Sequence, residues 1–275
     1  MPSTRCRTSA STIERKANAP FDRSARRAYV GAMEIQESDI AMTEVEWWEF
    51  EDKDELADAV AGDIGFIIES ALEARGQALV AFPGHAALVP LFEKLAERDI
   101  RWKNVTIVPT DDRLVPVDDP RSNIANIART FLPLGARVLP ITSEAEDYKL
   151  AGSAADARLK DLHWPPDLVW LSVGANGSTA SIYPGPDMDE AVAGPSERRA
   201  VGVRPDPMPE DAAVDRVTLT VLAIRESRTV LFTIEGDDEK ALLEKAIADG
   251  ASSSVPVGRL FGELKVPVDI YWLET

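Results

Sequence analysis

The chain has 275 residues, a formal net charge of −17, 45% hydrophobic and 28% charged side chains, the composition of a globular protein long enough to bury its core without staples. No stretch approaches the roughly 20 apolar residues of a membrane helix, and a single cysteine, Cys6, excludes a disulfide scaffold or a cysteine-built zinc site. Two histidines, His85 and His163, leave little for a histidine-rich metal centre, and the acidic balance argues against nucleic acid.

The charge is uneven. Residues 1–32 carry seven basic and two acidic side chains, a charge of +5 that leaves −22 to the remainder. This segment is rich in Ser and Arg and has no long apolar run. Three readings stand: a disordered basic tail, sequence upstream of a true start at Met33 or Met42, and an organellar transit peptide. A secretory signal is excluded by the missing apolar core of about 7–15 residues. Residues 33–275 contain no cysteine, which fits a cytoplasmic location.

The elements alternate along the chain. Glu55 to Arg75 has apolar residues at steps of three and four (Leu56, Ala59, Val60, Ile64, Ile67, Ile68, Ala71, Leu72), the pattern of a helix. Ala78–Phe82 is a buried strand broken by Pro83-Gly84, and Leu88–Arg98 is helical again. Val105–Val108 is a strand ending at Pro109, Ser122–Phe131 a helix, and Arg137–Ile141 a strand. Ala151–Leu162 is helical and Asp167–Val173 a strong buried strand running into Gly174. Strands follow at Arg216–Leu222, Thr229–Ile234 and Asp269–Leu273, with a helix at Asp238–Ala248 between the last two. The Pro-rich stretch Gly185–Pro209 reads as a long surface loop. Neither an internal repeat nor a domain linker is present. Strands separated by helices predict one α/β domain over residues 33–275, a mostly parallel sheet covered on both faces.

Ligands of such sheets bind beyond the carboxyl ends of the strands. Those ends carry Pro83-Gly84-His85-Ala86-Ala87, Pro109-Thr110-Asp111-Asp112-Arg113, Gly174-Ala175-Asn176-Gly177-Ser178-Thr179-Ala180-Ser181, and Glu235-Gly236 with Lys240 beyond. Backbone N–H groups at a helix start beside Arg and Lys make an anion site. Hydroxyls and carboxylates next to it suit a polyhydroxy ligand, so a phosphorylated sugar fits. The same four loops also fit ordinary strand-to-helix connections, and physics alone leaves both readings open.

The order and wording of these loops resemble the 6-phosphogluconolactonase branch of the glucosamine-6-phosphate isomerase/deaminase-like superfamily, over roughly residues 45–275. Pro109-Thr110-Asp111-Asp112-Arg113-Leu114-Val115-Pro116 with Ser122-Asn123 is similar to the family's Asp-Glu-Arg loop, its Val-Pro and its Ser-Asn pair. Gly174–Pro184 is similar to Gly-x-Asp-Gly-His-Thr-Ala-Ser-Leu-Phe-Pro, Arg216–Thr220 to its Arg-Ile-Thr-Leu strand, and Glu235-Gly236 through Lys240 to its phosphate-lysine segment. The resemblance implies a three-layer α/β/α Rossmann-like domain and hydrolysis of a phosphorylated sugar lactone, without metal or nucleotide. It implies that Arg113 and Lys240 hold the phosphate, with backbone donors from the loop at Gly84, His85 and Ala86. It implies that Gly177 belongs to the substrate-binding set and that Asp111 lies near the sugar ring or orients its neighbours.

The catalytic motif departs from the family. Asn176 stands for the aspartate, and Ser178 for the histidine that would take a proton from water, a role typically worth about 10²–10⁴-fold. His85 occupies a second glycine position, where a positive φ would cost a side chain on the order of 1–3 kcal/mol, and Ala86 lacks the family hydroxyl. Asp111, Asn176 and Ser178 are therefore the catalytic candidates, with weakened turnover expected. His85 has two readings: a replacement base, or a loop histidine at the phosphate end. A non-catalytic sugar-phosphate binder is the alternative function, and an amino-sugar-phosphate isomerase/deaminase fits the Asp-Asp-Arg loop less well.

Other features read as structure. Trp47-Trp48, Trp170 and Trp272 are core or packing surface. Asp237-Asp238-Glu239 and Glu49–Glu55 are acidic helix starts. Asp111-Asp112 without histidine support is a poor metal site. Arg216 anchors its strand or reaches the site.

Overall fold

The computed structural model describes residues 13–16, 44–143, 147–195, 197–209 and 213–275. Within the basic segment residues 13–16 form a strand; the rest of it, with Cys6, Met33 and Met42, lies outside the described residues, and so does the expectation made for that part.

The chain enters the sheet through β1 (Ile13–Lys16) and β2 (Val45–Phe50). The Asp52 side chain then accepts the N–H groups of Asp54 and Glu55, capping α1 (Lys53–Arg75), which Gly76 ends in the left-handed conformation at φ 75°. β3 (Ala78–Phe82), α2 (Val89–Ala96), β4 (Val105–Pro109), the short β5 (Asp111–Arg113), α3 (Asn123–Phe131) and β6 (Arg137–Val138) follow. The second half runs α4 (Tyr148–Lys160), β7 (Leu168–Ser172), α5 (Met188–Ala193), β8 (Ala200–Val203), β9 (Arg216–Leu219) and α6 (Val221–Ile224). It closes with β10 (Val230–Glu235), α7 (Asp237–Asp249), α8 (Pro256–Glu263) and β11 (Val268–Leu273).

The main sheet has the order β1-β2-β11-β10-β7-β3-β4-β6, and each of its pairings is parallel. Alternate residues of a strand face opposite sides, and the core divides accordingly. Leu79, Ala81, Val169, Leu171, Val230 and Phe232 pack under α4, α7 and α8. Ala78, Val80, Phe82, Leu168, Trp170 and Leu231 pack under α1, α2 and α3. On this second face Phe82, Phe92, Phe131 and Trp170 meet in offset and edge-on pairs with centroids 5.6–6.1 Å apart. Truncating Phe92, which is fully buried, costs about 3–5 kcal/mol. Helices on both faces of a parallel sheet are the three-layer α/β/α arrangement.

A second, antiparallel sheet, β5-β9-β8, stands beyond the carboxyl end of β4. Thr110 joins the two sheets: its N–H donates to Phe82 O at 2.9 Å, and its carbonyl accepts from Leu219 N–H at 2.8 Å.

The structure corrects several boundaries. Gly185–Pro209 is not a plain loop, since α5 and β8 lie within it; a four-residue strand containing Gly202 has no readable alternation. The strand from Arg216 stops at Leu219, because the Thr220 hydroxyl accepts the Ala223 N–H and starts α6. The strand expected over Arg137–Ile141 shortens to two residues ahead of Pro140. Trp47 is buried in β2, and Trp170 and Trp272 are buried in their strands.

Candidate active site

The loops after β3, β4 and β7 converge at the carboxyl edge of the sheet, and their sequences explain how. In β5 the alternation places Asp112 inward and Asp111 and Arg113 on the opposite side. Asp112 is fully buried. Its carboxylate accepts the N–H groups of Arg113 (2.8 Å), Asn123 (2.7 Å) and Ile124 (3.1 Å), so it caps α3 from another segment. Burial pushes its pKa up to about 6, against the pull of those three donors.

Asn123, the first residue of α3, is the hub. Its Nδ2 donates to the Asp111 carbonyl (2.8 Å) and to Asp111 Oδ2 (3.2 Å), while its Oδ1 accepts from the Arg113 guanidinium (2.9 Å). That guanidinium nitrogen also donates to the Arg121 carbonyl at 2.9 Å. Arg113 Nε is buried and has no partner among the described residues. Asp111 further accepts from Thr110 Oγ1 (3.0 Å) and Ser181 Oγ (2.5 Å).

Gly84 lies against the same helix end. A Cβ there would stand 2.4 Å from the Asn123 carbonyl, so only glycine fits. The Asn126 amide donates to the Gly84 carbonyl at 2.8 Å and fixes the turn. The following 3-10 turn, Ala86–Leu88, begins at the exposed Ala86. His85 has φ −70° and ψ 150°, ordinary extended backbone, so the strain considered for a side chain at this glycine position does not arise. Its half-buried ring places Nε2 3.2 Å from Ser172 Oγ at the end of β7. Burial lowers the His85 pKa below its ordinary 6.5; Asp111 opposes the shift and Arg113 adds to it.

The loop after β7 uses Asn176 and Ser178 internally. Asn176 is exposed and its Oδ1 accepts the Ser178 N–H at 3.0 Å; the Ser178 carbonyl accepts the Gly174 N–H at 2.8 Å. Gly177 sits at φ 74°, where a Cβ would lie 2.6 Å from Val255, and its carbonyl accepts the Val257 N–H at 3.0 Å. The turn is thereby pinned to the start of α8. The side chain of this loop that bonds Asp111 is Ser181. Ala180 and Ser181 both have positive φ, 46° and 54°, a strained pair held by the Thr218 hydroxyl donating to the Ala180 carbonyl.

Two expected cations separate. Arg113 belongs to the cluster, whereas Lys240 does not join it. The Lys240 ammonium donates to Glu49 at 2.9 Å and lies 3.6 Å from the Trp272 ring centroid. It therefore leans towards β11 and β2, several strands from β4 in the sheet order. Adjacent strands are about 4.8 Å apart, so the convergence expected of Lys240 with Arg113 is corrected. Arg216 is buried, donates to the Val214 carbonyl at 2.9 Å and stacks on Tyr183 with its guanidinium carbon 5.2 Å from the ring centroid; it anchors β9. His163 is exposed ahead of β7, at the amino edge of the sheet. Ser172 is the site residue that motif reading passed over, while Asn123 and Ser181 stand within the quoted motifs without a role assigned to them. A polar residue ending a run such as Leu-Val-Trp-Leu-Ser was the available signal for Ser172.

A three-layer α/β/α domain thus brings an arginine braced beside a glycine turn and a carboxylate ringed by donors to the carboxyl edge of its parallel sheet. Residues 51–268 match the family model described as glucosamine-6-phosphate isomerases/6-phosphogluconolactonase, and the chain belongs to that family. A 6-phosphogluconolactonase of Rhizobium meliloti (strain 1021) is 32% identical over 226 residues, covering 81% of this chain and 96% of the relative. One from Mesorhizobium japonicum is 31% identical, covering 82% and 94%. The crystal structure of a 6-phosphogluconolactonase from Shewanella baltica OS155 superposes with a TM-score of 0.77 at 24% identity, covering 86% of this chain and all of that one. A monomeric glucosamine-6-phosphate deaminase shares the fold with a TM-score of 0.68 at 16% identity, covering 84% and 97%.

Proposed function

We propose that this protein is a lactonase, a carboxylic ester hydrolase that opens 6-phospho-D-glucono-1,5-lactone to 6-phosphogluconate, the ring-opening step of the pentose phosphate pathway. The observation that carries the reading is Arg113, braced by Asn123 and the Arg121 carbonyl beside the Gly84 turn. An arginine fork matches the oxygens of a phosphate, and the first turn after Gly84 offers backbone N–H groups that helix geometry leaves without intrahelical partners. Asp111, with its ring of donors, is placed to receive sugar hydroxyls. Binding the remote phosphate holds the lactone in position, which lowers the barrier by removing the entropy of encounter.

The names of the similar proteins support the same substrate. Among the described residues no helix is long and apolar enough to cross a membrane, and a cytoplasmic enzyme acting without metal or cofactor is the reading we adopt. Asn176 and Ser178 favour one other function, a sugar-phosphate binder without turnover, because neither side chain accepts a proton at neutral pH. A lactonase assay corrected for spontaneous hydrolysis decides between the two. Turnover above the spontaneous rate supports the enzyme, and binding of 6-phosphogluconate without turnover supports the binder.

A further inference from the structure

We infer that His85, supplied by the loop after β3, is the residue that takes the proton from the attacking water in this protein. The inference rests on the lactonase reading. Hydrolysis of an unactivated water needs a proton acceptor as the oxygen attacks, and the carboxyl edge of the sheet offers few. Asp112 is buried and committed to three backbone N–H groups. Asp111 already accepts from Thr110, Asn123 and Ser181. Ser178 is a hydroxyl in a turn closed on Gly174, and Asn176 is an amide facing solvent.

His85 has the geometry of a base. Its backbone is relaxed. Its ring is half-buried and tied at 3.2 Å to Ser172 Oγ, the last residue of the strand that leads into the Asn176–Ser178 turn. The imidazole thus bridges the loop that carries Gly84 and the strand that carries the altered motif. The charged groups that face it are Asp111 and Arg113, both from β5, of opposite sign. Burial outweighs the carboxylate and lowers the ring's pKa, which favours the neutral form that a proton acceptor needs. In the tautomer whose Nε2–H donates to Ser172 Oγ, the lone pair sits on Nδ1.

The step balances as follows. A water oxygen forms a bond to C1 of the lactone while its proton passes to the imidazole. The carbonyl pair becomes the oxyanion of a tetrahedral intermediate. The C1–O5 bond then breaks, and the ring oxygen leaves with the proton returned from the imidazolium. The free acid ionises and releases one proton to solvent.

The test uses the full chain and two variants, His85→Asn and His85→Ala. Hydrolysis of 6-phosphogluconolactone is measured from pH 5.5 to 8 after subtracting the spontaneous rate, and 6-phosphogluconate binding is measured by calorimetry. The expected result is a fall in kcat of about 100-fold or more in both variants, product Kd within threefold of wild type, and partial recovery of His85→Ala by added imidazole. Wild-type kcat/KM should fall on the acid side with a midpoint below the ordinary histidine value of 6.5, a limb the variants lack. Variants that bind product and turn over like wild type overturn this inference and leave the lactonase reading intact. A wild-type chain with no turnover overturns the lactonase reading itself. Should both variants misfold, a wild-type profile whose acid limb lies above pH 6.5 overturns the assignment.

Discussion

His85 Nε2 lies 3.2 Å from Ser172 Oγ, a contact that joins the turn after β3 to the end of β7. Both residues leave neighbouring central strands of the same parallel sheet. Ser172 is a positioning residue for the imidazole. Ser172→Ala should reduce kcat by about three- to tenfold, with KM little changed, and should shift the acid limb of the pH profile. Loss of all turnover with product binding intact would show a role beyond positioning, and an unchanged profile would show that the contact has no role.

The proposed phosphate site rests on Arg113 alone among the two cations expected. Arg113→Ala removes the fork and frees Asn123, so 6-phosphogluconate affinity should fall at least several-fold by calorimetry. Lys240→Ala should leave that affinity within twofold, because its ammonium is spent on Glu49 and the Trp272 face. Its effect should appear as a modest loss of thermal stability, the cation–π contact being worth about 0.5–2 kcal/mol. A large drop in affinity on replacing Lys240 would return it to the phosphate site.

Asp112 makes stability depend on pH in an unusual direction. Its folded pKa of about 6 lies above the ordinary carboxylate value, so folding favours its protonated form. The contribution is fully present below the unfolded pKa of about 3.9 and is lost as pH rises through 6. Between pH 5 and 7 this group alone lowers stability as pH increases. Chemical denaturation of wild type and Asp112→Asn across that range isolates the effect from the repulsion of the other carboxylates. The difference between the two should change with pH and level off above about pH 7; a constant difference would contradict the raised value.

The altered motif gives a separate handle. In the His85→Asn background, Asn176→Asp with Ser178→His should raise kcat by tenfold or more, since an imidazole at position 178 would supply a proton acceptor from the neighbouring loop. No gain, with product binding intact, would mean that the turn pinned between Gly174 and Val257 does not present that side chain to the substrate.

The layer order was legible in the sequence because the central strands are buried on both faces. Ala78–Phe82 reads as a continuous apolar run, and it is a strand over those same residues. What escaped were elements too short to show a period: β5 has three residues and β8 four, and both take their form from pairing with β9. The Asp111–Arg113 loop was readable by its wording, but its geometry depends on Asn123, twelve residues beyond Asp111. Nothing local distinguished Lys240 from a phosphate ligand. Its direction is set by Glu49, which is 191 residues away, and by the aromatic face of β11. The ordinary backbone of His85 could not be foreseen either, since a glycine position does not reveal whether its φ is positive.

The most direct measurement is the initial rate at which the full chain opens 6-phosphogluconolactone at neutral pH, with the spontaneous rate subtracted. The account predicts a saturable, enzyme-dependent rate that is competitively inhibited by 6-phosphogluconate and lost in His85→Asn. A rate no faster than buffer alone, in a protein that binds 6-phosphogluconate, would contradict it.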